Sequence, residues 1–243
     1  MSWQALLLDL FTYGIFFYSV LLLSCYVFIG LYSIGEVSHY LKKNSFTDYR
    51  ILAGATQAPT ISILAPAYNE GANIIENVRS LLSIHYNNLE LIIINDGSKD
   101  DSLEKLIIAY DLYKADFFVN PQIKTKDVRG VYKSKNAVYR KLIVVDKVNG
   151  GKADALNVGV NIAQNNYIVC IDVDCILEQD ALLKLAKPFM ENTKHRVIAT
   201  GGVIRIANSC VVENGRLLKV NLPEQFLPRV QTLEYIRAFL LGR

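Results

Sequence analysis

An α/β fold, with a parallel sheet flanked by helices and preceded by one transmembrane helix, is the class that this 243-residue sequence predicts. Three observations carry the prediction. Four short apolar runs rich in Ile and Val have the pattern of strands buried on both faces of a sheet. Segments with apolar residues at three- and four-residue spacing separate them, so strands and helices alternate. Ahead of all of them lies a long run without charge, from Leu10 to Gly35.

The charge-free run comes first in the chain. It is flanked by Asp9 and Glu36 and consists of Leu, Phe, Tyr, Ile and Val almost throughout, and a helix needs about 20 such residues to cross a bilayer. A cleaved signal peptide fits less well: its apolar core is shorter, a basic region precedes it and a small-residue cleavage site follows it. Residues 1–40 are therefore expected to be a retained anchor. Lys42, Lys43 and Arg50 follow the run while only Asp9 precedes it. The positive-inside rule then places the start of the chain outside and the rest in the cytosol, a cell-membrane protein that is single-pass within this chain. Residues 41–59 read as a linker and 60–243 as one domain of roughly 185 residues, enough for a sizeable core.

Within that domain ISILA (61–65), LELIIIN (89–95), RKLIVVD (140–146) and YIVCID (167–172) are the strands. The helical segments are Asn73 to Ile84, Ser102 to Tyr113, Asp154 to Gln164 and Glu178 to Met190, the second opening behind the capping residues Ser98 to Asp101.

Composition removes several function classes. A formal net charge of +3 with spread basic residues gives no stripe for nucleic acid. The one basic-leaning stretch, Lys124 to Lys141, reads as a solvated insertion near anionic lipid heads. Cys25, Cys170, Cys175 and Cys210 form no Cys-x-x-Cys pair and have no neighbouring His, which argues against zinc and fits a reduced cytosolic core. His39, His85 and His195 belong to no motif, so no triad is built from them.

Each strand ends in a polar cluster: PAYNE at 66–70, INDGSKDDS at 94–102, NGGKADALN at 149–157 and IDVDC at 171–175. Ligands of open α/β sheets lie beyond the carboxyl ends of the strands, so the four clusters are expected to wall one site for a nucleotide and a metal. In PAYNE, Pro66 gives a rigid turn, Tyr68 an aromatic face for a base, and Asn69 and Glu70 hydrogen-bonding groups. Asp96 offers a carboxylate to a base N–H or a ribose hydroxyl, and Gly97 a positive φ with close backbone approach to a ligand. An Asp-Gly turn with a helix cap accounts for the same residues, and it is the preferred reading of Asp100 and Asp101. Lys152 on a Gly-Gly turn suits an anion, and Asp154 opens a helix. Asp172 and Asp174, at i and i+2 on a strand, would project to one side and share a divalent cation; a polar strand end is the alternative.

PAYNE, NDGSKDDS, GGKADALN and DVDC, in this order and behind an anchor, resemble the family 2 glycosyltransferases of the GT-A fold. The nearest likeness is to the membrane-bound processive synthases of poly-N-acetylglucosamine, chitin oligosaccharides, hyaluronan and cellulose, over about residues 60 to 240. The resemblance implies a mixed, mostly parallel sheet and an inverting transfer from a UDP-sugar donor to a polysaccharide or glycolipid acceptor. It also implies a nucleotide-sugar site of Pro66, Tyr68, Glu70, Asp96, Lys152, Asp154 and Asp172. Tyr68, Glu70 and Asp96 would hold the uridine, Lys152 would lie near the diphosphate, Asp172 would touch ribose and metal, and Asp174 would bind Mg²⁺ or Mn²⁺. The motif wording is nearest to the N-acetylglucosamine synthases.

The sequence also departs from that pattern. Inverting members carry a general-base aspartate in a downstream Glu-Asp motif, and processive members add Gln-x-x-Arg-Trp; here no Glu-Asp dipeptide occurs and the one tryptophan is Trp3. The 60–243 domain is thus expected to be incomplete at its C-terminal end, with the base beyond Arg243. Val230, Leu233, Ile236 and Phe239 to Leu241 suggest one face of a further helix. Two alternatives stand beside the polysaccharide synthase: a non-processive transferase acting on a lipid carrier, and an inactive membrane module that binds UDP-sugar.

Overall fold

The computed structural model describes residues 3–44, 58–117, 119, 121–190, 196–213 and 216–241. The chain divides into two compact units, one of Met1–Asp48 with Arg229–Arg243 and one of Tyr49–Pro228. Most of the expected linker, residues 45–57, lies outside the described residues.

In the first unit, helix α1 (Trp3–Asn44) runs beyond the expected end of the anchor. Its segment Trp3–Gly35, 33 residues, is long and apolar enough to cross a membrane. At 1.5 Å per residue it measures about 50 Å, against about 30 Å of bilayer hydrocarbon. Phe11, Phe17, Phe28 and Leu31 stand exposed along it. Three of its hydroxyls are satisfied within the helix: Thr12, Ser19 and Ser24 each donate to the carbonyl four residues back, at 2.8 Å. That is the arrangement a polar side chain needs where no water can pair with it.

The second unit is built on a six-stranded mixed sheet in the order β3-β4-β5-β2-β1-β6. Its strands are β1 (Ile61–Ala67), β2 (Leu89–Asn95), β3 (Leu112–Ala115), β4 (Val128–Ser134), β5 (Leu142–Lys147) and β6 (Tyr167–Cys170). β6, β1, β2 and β5 are mutually parallel, and β4 runs antiparallel to both β3 and β5. The helices are α2 (Ile74–Leu82), α3 (Ser102–Ala109), α4 (Lys152–Ile162) and α5 (Ala181–Met190). A small β7–β8 pair (Val211–Glu213, Arg216–Lys219) precedes α6 (Phe226–Leu241), which belongs to the first unit from Arg229 onward and realises the expected C-terminal helix.

Two cores sandwich the sheet, as the period-2 alternation of strand side chains requires. Ile63, Ala65, Leu91 and Ile93 pack with Val78, Leu81, Leu106 and Leu182 from α2, α3 and α5. Leu64, Ile92, Ile94 and Val145 pack with Ala155, Val158 and Ile162 of α4. α4 approaches closely because it carries Gly159, where a Cβ would come within 3.1 Å of Leu64 and 3.3 Å of Ile94.

Two expectations change. The helix from Ser102 ends at Ala109, because Asp111 takes a left-handed φ of 47° and the chain turns into β3. The basic-leaning stretch is not a solvated insertion throughout: residues 128–134 form β4, with Gly130 and Val131 buried and Arg129 exposed. Lys133 reaches out over the Phe117 ring, 4.9 Å from its centroid. Long basic side chains can leave a half-buried strand in this way while their stems cover apolar surface.

Candidate functional site

Because β1, β2, β5 and β6 run parallel, their carboxyl ends share one edge of the sheet, and the four polar clusters leave from it. The cluster after β1 is tied to the one after β2. Asn69, at a left-handed φ of 57°, accepts from the Lys99 N–H at 2.8 Å, while Ser98 Oγ accepts from Asn69 N at 3.0 Å. Ser102 Oγ accepts from Glu70 N at 3.0 Å, and Asp100 accepts from Gly71 N at 2.8 Å and Ser102 N at 3.1 Å. Asp100 thus satisfies the first N–H of α3 and fastens the PAYNE turn, whereas Asp101, at the N-cap position, makes no side-chain capping bond and pairs with Lys105 at 3.0 Å. Burial pushes the Asp100 carboxyl upward, but the hydrogen bonds from Ser102 and Gly71 outweigh it and hold the group below the usual carboxylate range.

The cluster after β2 is tied to the one after β5. Asp96 is 4 % exposed. Its Oδ1 accepts from Lys147 Nζ at 2.7 Å and Gly150 N at 2.9 Å, and its Oδ2 from Gly151 N at 2.8 Å. Asn149 Nδ2 donates to the Asp96 carbonyl at 2.8 Å. Gly97 has the expected positive φ, +66°, yet the backbone it approaches is that of Asn149. On the sheet's opposite face Asn95 donates to Asp146 at 2.8 Å, and Arg129 lies 3.6 Å from the same carboxylate.

After β6 the geometry differs from expectation. The strand stops at Cys170, so Asp172 and Asp174 are not alternating strand residues; they sit on a turn closed by Cys175 N donating to the Asp172 carbonyl at 3.0 Å. The turn still gathers them. One ligand atom from each of Asp172, Asp174 and Cys175 lies within 4.8 Å of the others, and all three side chains face solvent. Lys152, the first residue of α4, pairs with Asp172, and this hydrogen bond raises its ammonium above the ordinary lysine value.

These groups line one open cleft of about 240 Å³. Its lining is Pro66 and Ala67 at the end of β1, Tyr68 and Glu70 after it, Asp96 after β2, Lys152 at the start of α4, and Asp172, Val173 and Asp174 after β6. Of the expected site residues, Asp154 alone is absent from the lining. Its carboxylate meets Lys147 Nζ at 2.7 Å and accepts from Lys126 N at 3.2 Å. The Lys147 contact, foremost, holds it below the usual carboxylate range.

Sequence reasoning passed over Lys147, Asn149 and Cys175. The available signal for Lys147 was a lysine directly ending an apolar strand, between two acidic clusters. Oxygens of two exposed carboxylates suit a hard divalent cation, so the residues after β6 fit Mg²⁺ or Mn²⁺.

Residues 62–136 and 124–219 match the family model for glycosyl transferase family 2. The poly-beta-1,6-N-acetyl-D-glucosamine synthase of Staphylococcus epidermidis is 30 % identical over 212 residues, 86 % of this chain and 41 % of that protein. The Staphylococcus aureus synthase of the same description is 30 % identical over 232 residues, 93 % of this chain and 43 % of that protein. The chain therefore spans less than half the length of these curated relatives. Among solved structures, a Pyrobaculum calidifontis mannosyltransferase in complex with GDP-Man and Mn²⁺ aligns with a TM-score of 0.43 at 17 % identity, over 69 % of this chain and 44 % of that one. S. aureus TarS 1-349 in complex with UDP-GlcNAc aligns with a TM-score of 0.40 at 19 % identity, over 54 % and 31 %. With its mixed sheet, its helices on both faces and a family match that runs from β1 to β8, the chain belongs to glycosyl transferase family 2 and has a GT-A-like fold.

Proposed function

We propose that this chain is the donor-binding part of a membrane-anchored, inverting glycosyltransferase. It takes N-acetylglucosamine from a UDP-sugar and adds it to a growing β-linked polysaccharide. The observation that carries the reading is the convergence of an aromatic ring, a buried carboxylate, a lysine and a pair of exposed acids on one cleft at the ends of parallel strands. The choice of sugar rests on the 30 % identity to synthases named for that polymer. The anchor is assigned to α1 and the domain to the cytosol, on the lysines that follow the apolar segment.

The residues divide the donor between them. Tyr68, 45 % exposed, presents a ring on which a base stacks. An ionised carboxylate offers about four acceptor positions, and Asp96 already uses three of them on Lys147, Gly150 and Gly151. It has room for one further N–H, which suits the single imide donor of uracil better than the two adjacent donors of guanine. Lys152 at the start of α4 supplies positive charge, and the helix N-terminus adds to it, where the diphosphate accumulates charge as it leaves. Asp172 and Asp174 would hold Mg²⁺ or Mn²⁺, whose chemistry when bound is to neutralise that same diphosphate.

Titration calorimetry of UDP into the detergent-solubilised chain, with Mn²⁺ and with EDTA, tests the reading. The wild type should bind at least tenfold more tightly with Mn²⁺, about 1.4 kcal/mol, and Asp174→Asn should remove that gain while the fold is retained. Equal binding in EDTA would leave the acids as a polar turn.

A further inference from the structure

Among the described residues, Lys147 is the largest side chain that is wholly buried, and it carries a charge. Its three ammonium protons are all used: on Asp96 Oδ1 at 2.7 Å, Asp154 Oδ2 at 2.7 Å and the Val148 carbonyl at 2.6 Å. Burying an ammonium is costly, and an apolar residue of the same shape often serves stability as well or better. Stability alone therefore does not account for a lysine here; what it holds does.

Both carboxylates are attached to the turn that leads into α4. Asp96 grips the N–H groups of Gly150 and Gly151, the two residues before Lys152. Asp154, on the first turn of α4, accepts from Lys126 N, and Lys126 Nζ in turn donates to the Asn149 carbonyl at 2.8 Å. The turn has no slack, since a Cβ on Gly150 would fall 2.3 Å from Asp154 Oδ2. Asp96 lies at one end of this cluster and Lys152 at the other, and both line the cleft.

We propose that Lys147 is a positioning residue: by bridging Asp96 and Asp154 it fixes the Asn149–Lys152 turn, and so sets both the Asp96 carboxylate and the Lys152 ammonium against a nucleoside diphosphate. The proposal rests on the donor-site reading above. Without the cation, two carboxylates would converge on one buried point with Lys126 as the other nearby charge. Their repulsion would swing Asp96 off the glycine N–H groups and carry Lys152 with the turn. Asp172 and Asp174 stand on a different loop, tied to this turn through the Lys152–Asp172 pair, so the two metal-holding carboxylates remain together when that pair loosens.

The test is UDP titration, with Mn²⁺ and with EDTA, into detergent-solubilised wild type, Lys147→Met and Lys147→Met/Asp154→Asn, with circular dichroism as the check on folding. Lys147→Met should weaken UDP about 10- to 100-fold, the range that outer partners of a binding group carry, with binding still tighter in Mn²⁺ than in EDTA. The double variant should regain at least about threefold, because the unpaired carboxylate repulsion is gone. A Lys147→Met chain that binds UDP within about twofold of wild type, or a double variant no better than the single one, would overturn the proposal while leaving the donor site standing. A wild type that binds no UDP overturns both. If Lys147→Met does not fold, Asp154→Asn carries the test: it should lose about threefold or more, and unchanged binding overturns the proposal.

Discussion

Replacing Gly97 by alanine should be damaging because the added methyl meets backbone, and the structure says by how much. Gly97 has φ +66°, and a Cβ there would stand 2.7 Å from Asn149 N, 3.1 Å from its Cβ and 3.2 Å from its Cα. The left-handed conformation alone costs an alanine about 1–2 kcal/mol. The contact is with backbone, so it is relieved only by parting the two turns. That stretches the Asn149 Nδ2 bond to the Asp96 carbonyl and the Gly150 N bond to Asp96 Oδ1, now 2.8 and 2.9 Å. At about 0.5–1 kcal/mol for each weakened bond, the total reaches about 2–4 kcal/mol. Gly97→Ala should therefore lower the unfolding midpoint by about 4–16 °C in a domain this size. Thermal unfolding of the detergent-solubilised chain, followed by tyrosine near-ultraviolet dichroism, measures the drop against wild type. A midpoint unchanged within about 2 °C would show that the turns are not locked together at Gly97.

Two further outcomes are expected. Asp100 and Asp154 have carboxyls held below their usual range, so their stabilising contribution is present above the unfolded value near about pH 4 and is lost as pH falls through the lower folded values. The midpoint should accordingly drop on acidification below about pH 4, less steeply in Asp154→Asn than in wild type, and an identical acid profile for the two would contradict the assignment. For the anchor, protease added to sealed inside-out vesicles should digest the chain after Lys42 and right-side-out vesicles should protect it; the opposite pattern would reverse the topology.

The parallel half of the sheet was legible because its strands are buried on both faces and announce it in unbroken Ile and Val: β2 matches the reading of 89–95 end to end. β1 runs two residues further than its apolar run, through Pro66, because past Leu64 it has a partner on one side only, which accommodates a residue without an N–H. β3 and β4 were missed for a different reason. They lie toward the edge of the sheet, with β4 between β3 and β5, and both are only partly buried, so Lys114, Arg129 and Lys133 stand where a local pattern expects solvent.

The same distinction governs the site. Residue types that bear chemistry at strand ends are visible one by one, and Tyr68, Glu70, Asp96, Lys152, Asp172 and Asp174 do meet in one cleft. What a linear reading does not show is which of these groups already has a partner. Asp96 and Asp154 look alike in sequence, each an acid within three residues of a glycine. Yet Asp96 reaches the cleft with one acceptor position to spare, while Asp154 is turned to Lys147 and Lys126 and stays out of it. Lys147 decides between them from a position that composition assigns to Val or Ile, because a buried lysine is stable only where two carboxylates from β2 and α4 arrive together, and that arrival is a property of the fold.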